Sequence, residues 1–73
     1  MKVNKTQALL FMHERLIRKG SFTKEEIMNV VDITNLTFLR YIQELRAYIV
    51  NFNKGYEITY VRDSETYMLN DKK

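Results

Sequence analysis

The sequence contains no cysteine, no proline and only two glycines among its 73 residues. Without cysteine the chain can form neither a disulfide nor a thiolate metal site, which fits a reducing, cytoplasmic location. Two glycines are too few for a glycine-rich phosphate-binding loop. The single histidine, His13, cannot form a metal site unaided. The carboxylates are scattered over polar helix faces, and we therefore expect no cofactor and no enzymatic activity.

No apolar run in the sequence approaches the length of a membrane span or a signal-peptide core. We therefore expect a soluble protein with no membrane partner. Hydrophobic residues make up 45% of the chain and aromatic residues 12%, which is typical of a globular domain with a real core. The length allows one small domain, which we place at 1–70, with a frayed tail at 71–73.

The formal net charge of +3 is unevenly distributed along the chain. The first twenty residues are clearly basic, the segment 21–34 is net acidic, and the remainder is close to neutral. A polyanion would therefore feel a modest attraction near the first helix. The basic side chains there, which either contact phosphates or form a solvated face, are Lys2, Lys5, Arg15, Arg18 and Lys19.

Apolar residues at helical spacing predict a first helix over about 4–18, followed by a stop at Gly20. Its apolar face comprises Leu9, Leu10, Met12, Leu16 and Ile17. His13 lies on the same side, which favours a packed, hydrogen-bonded histidine at the edge of the core.

A second, short helix is predicted from Lys24, because Thr23 and Glu26 have the spacing of a capping box. Ile27, Val30 and Val31 would form its apolar stripe. Asp32 lies where the chain must reverse and is a residue type that tolerates the left-handed conformation.

The third helix is predicted over 35–49 with Thr34 as its N-cap. Two helices joined by so short a turn are typical of a helix-turn-helix unit, whose second helix can enter the DNA major groove. At about 100° per residue, the core-facing residues are Phe38, Ile42, Leu45 and Ile49. The opposite, outward face carries Leu36, Arg40, Gln43 and Ala47, flanked by Asn35, Thr37 and Leu39.

After this helix the pattern changes to alternation, and Tyr56, Ile58 and Tyr60 predict a half-buried strand. Asn53, Lys54 and Gly55 mark the passage into it. Asp63 and Ser64 supply turn residues, and 66–69 predicts a return strand. The expected fold is α+β, with three helices followed by a β-hairpin wing.

The segment Ile33-Thr34-x-x-Thr37-Phe38-x-Arg40-x-Ile42-x-Glu44-Leu45 resembles the recognition-helix region of a group of bacterial transcriptional regulators. The resembling domains are the winged helix-turn-helix domains at the N-termini of DeoR-type, BglG/Mga-type and WYL-domain regulators. Ile58-x-Tyr60 and Tyr67-x-Leu69 are similar to the wing strands of that group. The resemblance implies a DNA-binding protein that places helix 35–49 in the major groove, as a transcriptional regulator or a DNA-architecture factor. Because one short recognition helix buries a limited interface, we expect a dimer on a two-fold site.

Carried over to this chain, the resemblance implies a role in DNA binding for seven residues. Thr34 and Thr37 would lie near phosphates, and Arg40 would reach a phosphate or a base edge. The groove floor would be faced by Asn35, Leu36 and Leu39. By its amide chemistry Gln43, like Asn35, either reads adenine or is an ordinary helix-surface residue. Arg62 would begin a wing tip that runs to Thr66 along the flanking DNA.

The sequence departs from the pattern of that group in two places. Asn35 and Leu36 stand where basic residues are usual, and the wing tip Asp63-Ser64-Glu65 is acidic. These features favour an alternative function, in which the chain is a protein-interaction module, such as a phage or host adaptor, that binds its partner through the Leu36/Leu39 face. Arg40 has a second interpretation too, as a solvated side chain linked to Glu44.

Overall fold

A computed structural model describes residues 4–52 and 55–71 and shows an α+β fold. Within these residues three helices accompany one three-stranded antiparallel sheet, an arrangement compatible with a winged helix. The elements are α1 (Lys5–Lys19), β1 (Ser21–Thr23), α2 (Lys24–Val30), α3 (Asn35–Phe52), β2 (Tyr56–Val61) and β3 (Thr66–Asp71). The predictions for Lys2, Asn53, Lys54 and 72–73 lie outside the described residues.

Local capping determines where α1 begins and ends. The side chain of Asn4 accepts a hydrogen bond from the Gln7 backbone N–H at 2.8 Å, which satisfies one of the free donors of the first turn. Gly20 follows the helix with φ of 81°, and its N–H donates to the Leu16 carbonyl. Glycine is favoured at such a position because it has no Cβ to clash in the left-handed conformation. The predicted stop at Gly20 is confirmed.

Threonine caps begin α2 and α3, as predicted. The Thr23 hydroxyl accepts from the Glu26 N–H at 3.1 Å, and the Thr34 hydroxyl accepts from the Thr37 N–H at 3.2 Å. The Glu26 carboxylate contacts Arg15 at 3.5 Å. Helix α3 continues to Phe52, three residues beyond the predicted end.

The reversal between α2 and α3 differs from the prediction for Asp32. Among the described residues other than glycine, only Glu65 has a positive φ, so Asp32 does not adopt the left-handed conformation. The Ile33 N–H instead donates to the Val31 carbonyl at 3.0 Å, which closes a three-residue turn centred on Asp32. Val31 is extended and buried while Val30 is exposed, because α2 ends before the predicted apolar stripe is complete.

A third strand, β1, makes the sheet larger than the predicted hairpin. The strand order is β1-β3-β2, so β3 is central and pairs antiparallel with both neighbours. β1 has only three residues, too few for an alternating pattern to be visible in the sequence. At its other end, β3 pairs Asn70 with Glu57 and Asp71 with Tyr56, so Asp71 belongs to the strand and not to the expected tail.

An aromatic cluster joins the sheet to α3 at the centre of the core. Phe22 of β1, Phe38 of α3 and Tyr67 of β3 have ring centroids 5.6–6.5 Å apart, within the range of favourable aromatic pairs. The four core-facing residues predicted for α3 are all buried. Leu10 and Ile17, predicted for the apolar face of α1, are exposed instead.

His13 is half-buried and packs edge-on against Tyr48, with ring centroids 5.2 Å apart. Its packed position at the core edge is as predicted. Its Nε2 is buried and has no hydrogen-bond partner in the described part of the chain, so the predicted hydrogen bond is not found at that atom.

The backbone strain at Glu65 gives a stability prediction. Glu65 has φ of 53° in the turn between β2 and β3, a conformation that costs an ordinary side chain roughly 1–2 kcal/mol. Asparagine tolerates it better, so Glu65→Asn should raise the free energy of unfolding by about 0.5–1 kcal/mol. Urea denaturation measures the change. Asp63→Asn removes the same charge from the same turn without positive φ, and an equal gain there would assign the effect to charge.

Candidate nucleic-acid interface

The outward face of α3 is the largest part of the predicted site that the structure brings together. Packing of Phe38 and its three core neighbours turns the opposite side of α3 to solvent. Leu36 is 61% exposed and Leu39 is 43% exposed, and Arg40 and Gln43 are exposed with them. These four residues therefore share one accessible helix face, as the spacing predicts.

The two threonines at the start of α3 are bonded to each other. The Thr34 hydroxyl donates to the Thr37 hydroxyl oxygen at 3.0 Å while it accepts from the Thr37 N–H. The hydroxyl proton of Thr34 is therefore engaged in this hydrogen bond, whereas the Thr37 hydroxyl can still donate its own proton to a further acceptor. An anion near this helix start would also meet the positive end of the helix dipole.

Asn35 is linked to a residue that the sequence analysis did not assign to the site. Lys24, the first residue of α2, donates a hydrogen bond from its ammonium to the Asn35 side-chain oxygen. This contact brings a cation to the start of α3, although the segment 21–34 is net acidic. Asparagine reads adenine with both its oxygen and its amide, so adenine recognition by Asn35 would require Lys24 to release it.

Arg40 has no ion-pair partner among the described residues. The alternative link to Glu44 is absent there, because the Glu44 carboxylate lies 2.7 Å from the Lys5 ammonium of α1. An exposed guanidinium in this position can form paired hydrogen bonds with a phosphate or with guanine.

A shallow groove of about 290 Å³ continues the outward face of α3 toward the sheet. Leu39, Gln43 and Arg46 line it from α3, and Tyr60 and Tyr67 line it from β2 and β3, together with Ile42. Burial raises the pKa of the Tyr67 hydroxyl, Tyr60 raises it further, and Arg46 lowers it.

Arg46 and Tyr60 are site residues that the sequence reasoning missed. Arg46 follows Gln43 by three residues and Leu39 by seven, so helical spacing alone places it on the same face. The alternation of Tyr56, Ile58 and Tyr60 predicts a half-buried strand and no role in the site, but Tyr60 is 43% exposed. No sequence pattern shows that β2 lies beside α3.

Arg62 is exposed in the turn between β2 and β3. Thr66, the first residue of β3, pairs with Thr23, so the turn ends beside the start of α2. Ser64 and Glu65 line a cleft there with Lys24 and other α2 residues. The turn is thus held against α2, which limits how far the predicted wing tip can reach along flanking DNA.

Most of the positive charge on α1 is paired within the chain. Lys5 contacts Glu44, Arg15 contacts Glu26 at 3.5 Å, and Arg18 contacts Glu14 at 3.4 Å. Arg15 also lies over the Phe11 ring, 5.5 Å from its centroid. These contacts favour the interpretation of α1 as a solvated face.

Comparisons with models of protein families, with curated proteins and with solved structures found no match to this chain. Within residues 4–52 and 55–71, no helix combines the length and the apolar character needed to cross a membrane.

The link between Lys24 and Asn35 gives a spectroscopic prediction. Lys24→Met removes the ammonium donor but keeps a long side chain, so the side-chain amide signals of Asn35 should shift in a ¹⁵N-correlated NMR spectrum. Because both residues are exposed, stability should fall by less than about 1 kcal/mol. Lys19→Met removes the same group from the end of α1 and serves as the control. Unshifted Asn35 signals in Lys24→Met would show that the contact is not formed in solution.

Proposed function

We propose that this chain is a winged helix-turn-helix DNA-binding protein that places α3 in the major groove. Such a protein would act as a small transcriptional regulator of a bacterium or a bacterial mobile element. The observation that carries the proposal is the uncovered outward face of α3, where Arg40, Gln43 and Arg46 combine charge with hydrogen-bonding capacity.

The dimensions of α3 support groove docking. Its 18 residues span about 27 Å at 1.5 Å per residue, and the major groove is about 12 Å wide, enough for one helix. The core contacts of α3 lie on its other side, so docking requires no repacking of the domain. Arg46 would extend the interface by one turn beyond the predicted residues.

The charge around this face supports only moderate attraction to DNA. Lys24, Arg40, Arg46 and Arg62 are cationic, whereas the turn after β2 carries Asp63 and Glu65. One such domain also presents a limited interface. We therefore propose that two copies bind a two-fold-symmetric site, since this doubles the number of contacts.

The first test measures binding to random-sequence duplex DNA by fluorescence anisotropy at several salt concentrations. Phosphate contacts release counterions, so the logarithm of the affinity should fall linearly with the logarithm of the salt concentration. Three phosphate contacts would give a slope of about −3. Absence of binding even at low salt would contradict the proposal.

Arg40→Ala should weaken DNA binding by roughly 5- to 150-fold, because a paired contact of this kind is worth about 1–3 kcal/mol. Arg18→Ala removes the same charge from α1 and should have a much smaller effect. Asp63→Ala should leave affinity unchanged or raise it, because it removes a charge that repels phosphate. Equal losses for Arg40→Ala and Arg18→Ala would indicate general attraction and would contradict docking of α3.

A second candidate function is a winged-helix module that binds a protein through the Leu36/Leu39 face. It is favoured by the exposure of both leucines and by the acidic turn. A leucine-centred interface would depend far less on salt than DNA binding does. Affinity for a partner that persists at high salt and is lost in Leu36→Ala and Leu39→Ala would favour this function.

A further inference from the structure

A second exposed apolar surface lies on the side of the molecule where α1 packs against α3. We call it the α1/α3 patch and define it by Leu10 and Ile17 of α1 and Tyr48 and Phe52 of α3. All four side chains are exposed, and Phe52 is 72% exposed. Tyr48 follows Leu39 by nine residues, or two and a half turns at about 100° per residue, so it lies on the side of α3 opposite Leu39 and about 80° from Arg40.

The patch is continuous. The Tyr48 ring contacts His13 on one side and Phe52 on the other, with centroids 5.2 Å and 5.0 Å apart. Leu10 and Ile17 are seven residues apart on α1 and flank His13 on one stripe. Beside these rings is a cleft of about 330 Å³, lined mainly by Leu9, Leu10, Leu45 and Tyr48.

Charged residues that border the patch in the described part of the chain form ion pairs. Lys5 pairs with Glu44 at one end, and Arg18 pairs with Glu14 at the other. These pairs add no net charge to the border, so they do not oppose the approach of a second copy.

The area of the patch also fits a second copy of the chain. Its four side chains expose on the order of 400 Å², within the 300–600 Å² of the largest, often functional patches on monomers. A standard interface buries about 800 Å² per partner, of which roughly 65% is apolar in homodimers, or about 500 Å². The cleft and the protruding Phe52 lie side by side, so a two-fold axis can bring each Phe52 ring toward the cleft of the other copy.

We propose that the α1/α3 patch is a homodimer interface. It leaves Leu39, Gln43 and Arg46 accessible on each subunit, because these residues lie about 140–180° around α3 from Tyr48. The location of the interface is inferred from the patch and not from DNA binding, and its test contains no DNA.

The test is sedimentation equilibrium of the full chain from about 1 to 500 µM, with Leu10→Glu and Phe52→Glu as variants. The native chain should move from one to two subunits in mass within this range. Each variant should raise the dissociation constant at least tenfold, since it places a charge in an apolar contact. Val50→Glu is the matched control, because Val50 lies on the other side of α3 and is 54% exposed.

Circular dichroism checks that each variant is folded, and Phe52→Ala provides a milder change that should weaken association without adding charge. A native chain that stays monomeric up to 500 µM would overturn the proposal. Association that survives both glutamate substitutions, or that Val50→Glu weakens equally, would assign it to another surface and would also overturn it.

Discussion

The packing of Phe22, Phe38 and Tyr67 is the interaction on which the rest of the structure depends. These three rings connect β1, α3 and β3, so they fix the rotation of α3 relative to the sheet. At about 100° per residue, the direction of Phe38 determines where Leu39, Arg40 and Gln43 point. The candidate nucleic-acid interface is therefore a consequence of the core, because its residues occupy the part of α3 that the rings leave uncovered.

The same packing explains the short β1 strand. Three residues cannot form a stable strand alone, but Phe22 is fully buried between α3 and β3. The backbone pairing of β1 with β3 then holds the turn after β2 beside the start of α2. A contact made in the core thus limits the reach of the turn that was predicted to be a wing tip.

Much of the fold could be predicted from the sequence, because helices and caps depend on neighbours within four residues. Thr23, Thr34 and Gly20 cap helices through contacts with nearby residues. The buried face of α3 follows from the helical period alone. The strand β1 and the exposure of Leu10 and Val30 depend on packing between distant segments, which no local pattern records. The predicted left-handed conformation of Asp32 was wrong for a related reason. The residue type permits that conformation but does not require it.

The candidate site shows the same division between local and distant effects. The accessible face of α3 could be predicted from helical spacing, including Arg46, which the sequence reasoning overlooked. The contact of Lys24 with Asn35 and the approach of Tyr60 to the α3 groove required the tertiary structure. The pairing of Glu44 with Lys5 changes the interpretation of two elements at once. It removes a cation from those that α1 offers to a polyanion, and it takes away the local partner of Arg40.

Within the described residues, these ion pairs leave Arg40 and Arg46 of α3 without an ion-pair partner but only Lys19 of α1, although α1 holds more basic residues. Lys5, Arg15 and Arg18 are engaged with carboxylates, whereas Arg40 has no such partner among the described residues. The apolar side chains on the α1 side then lie within a nearly neutral border. α3 therefore separates two surfaces of different chemistry, a cationic, hydrogen-bonding face suited to a polyanion and an apolar face suited to a second protein surface. Since both depend on the rotation that Phe38 sets, a change in the core packing would affect both together.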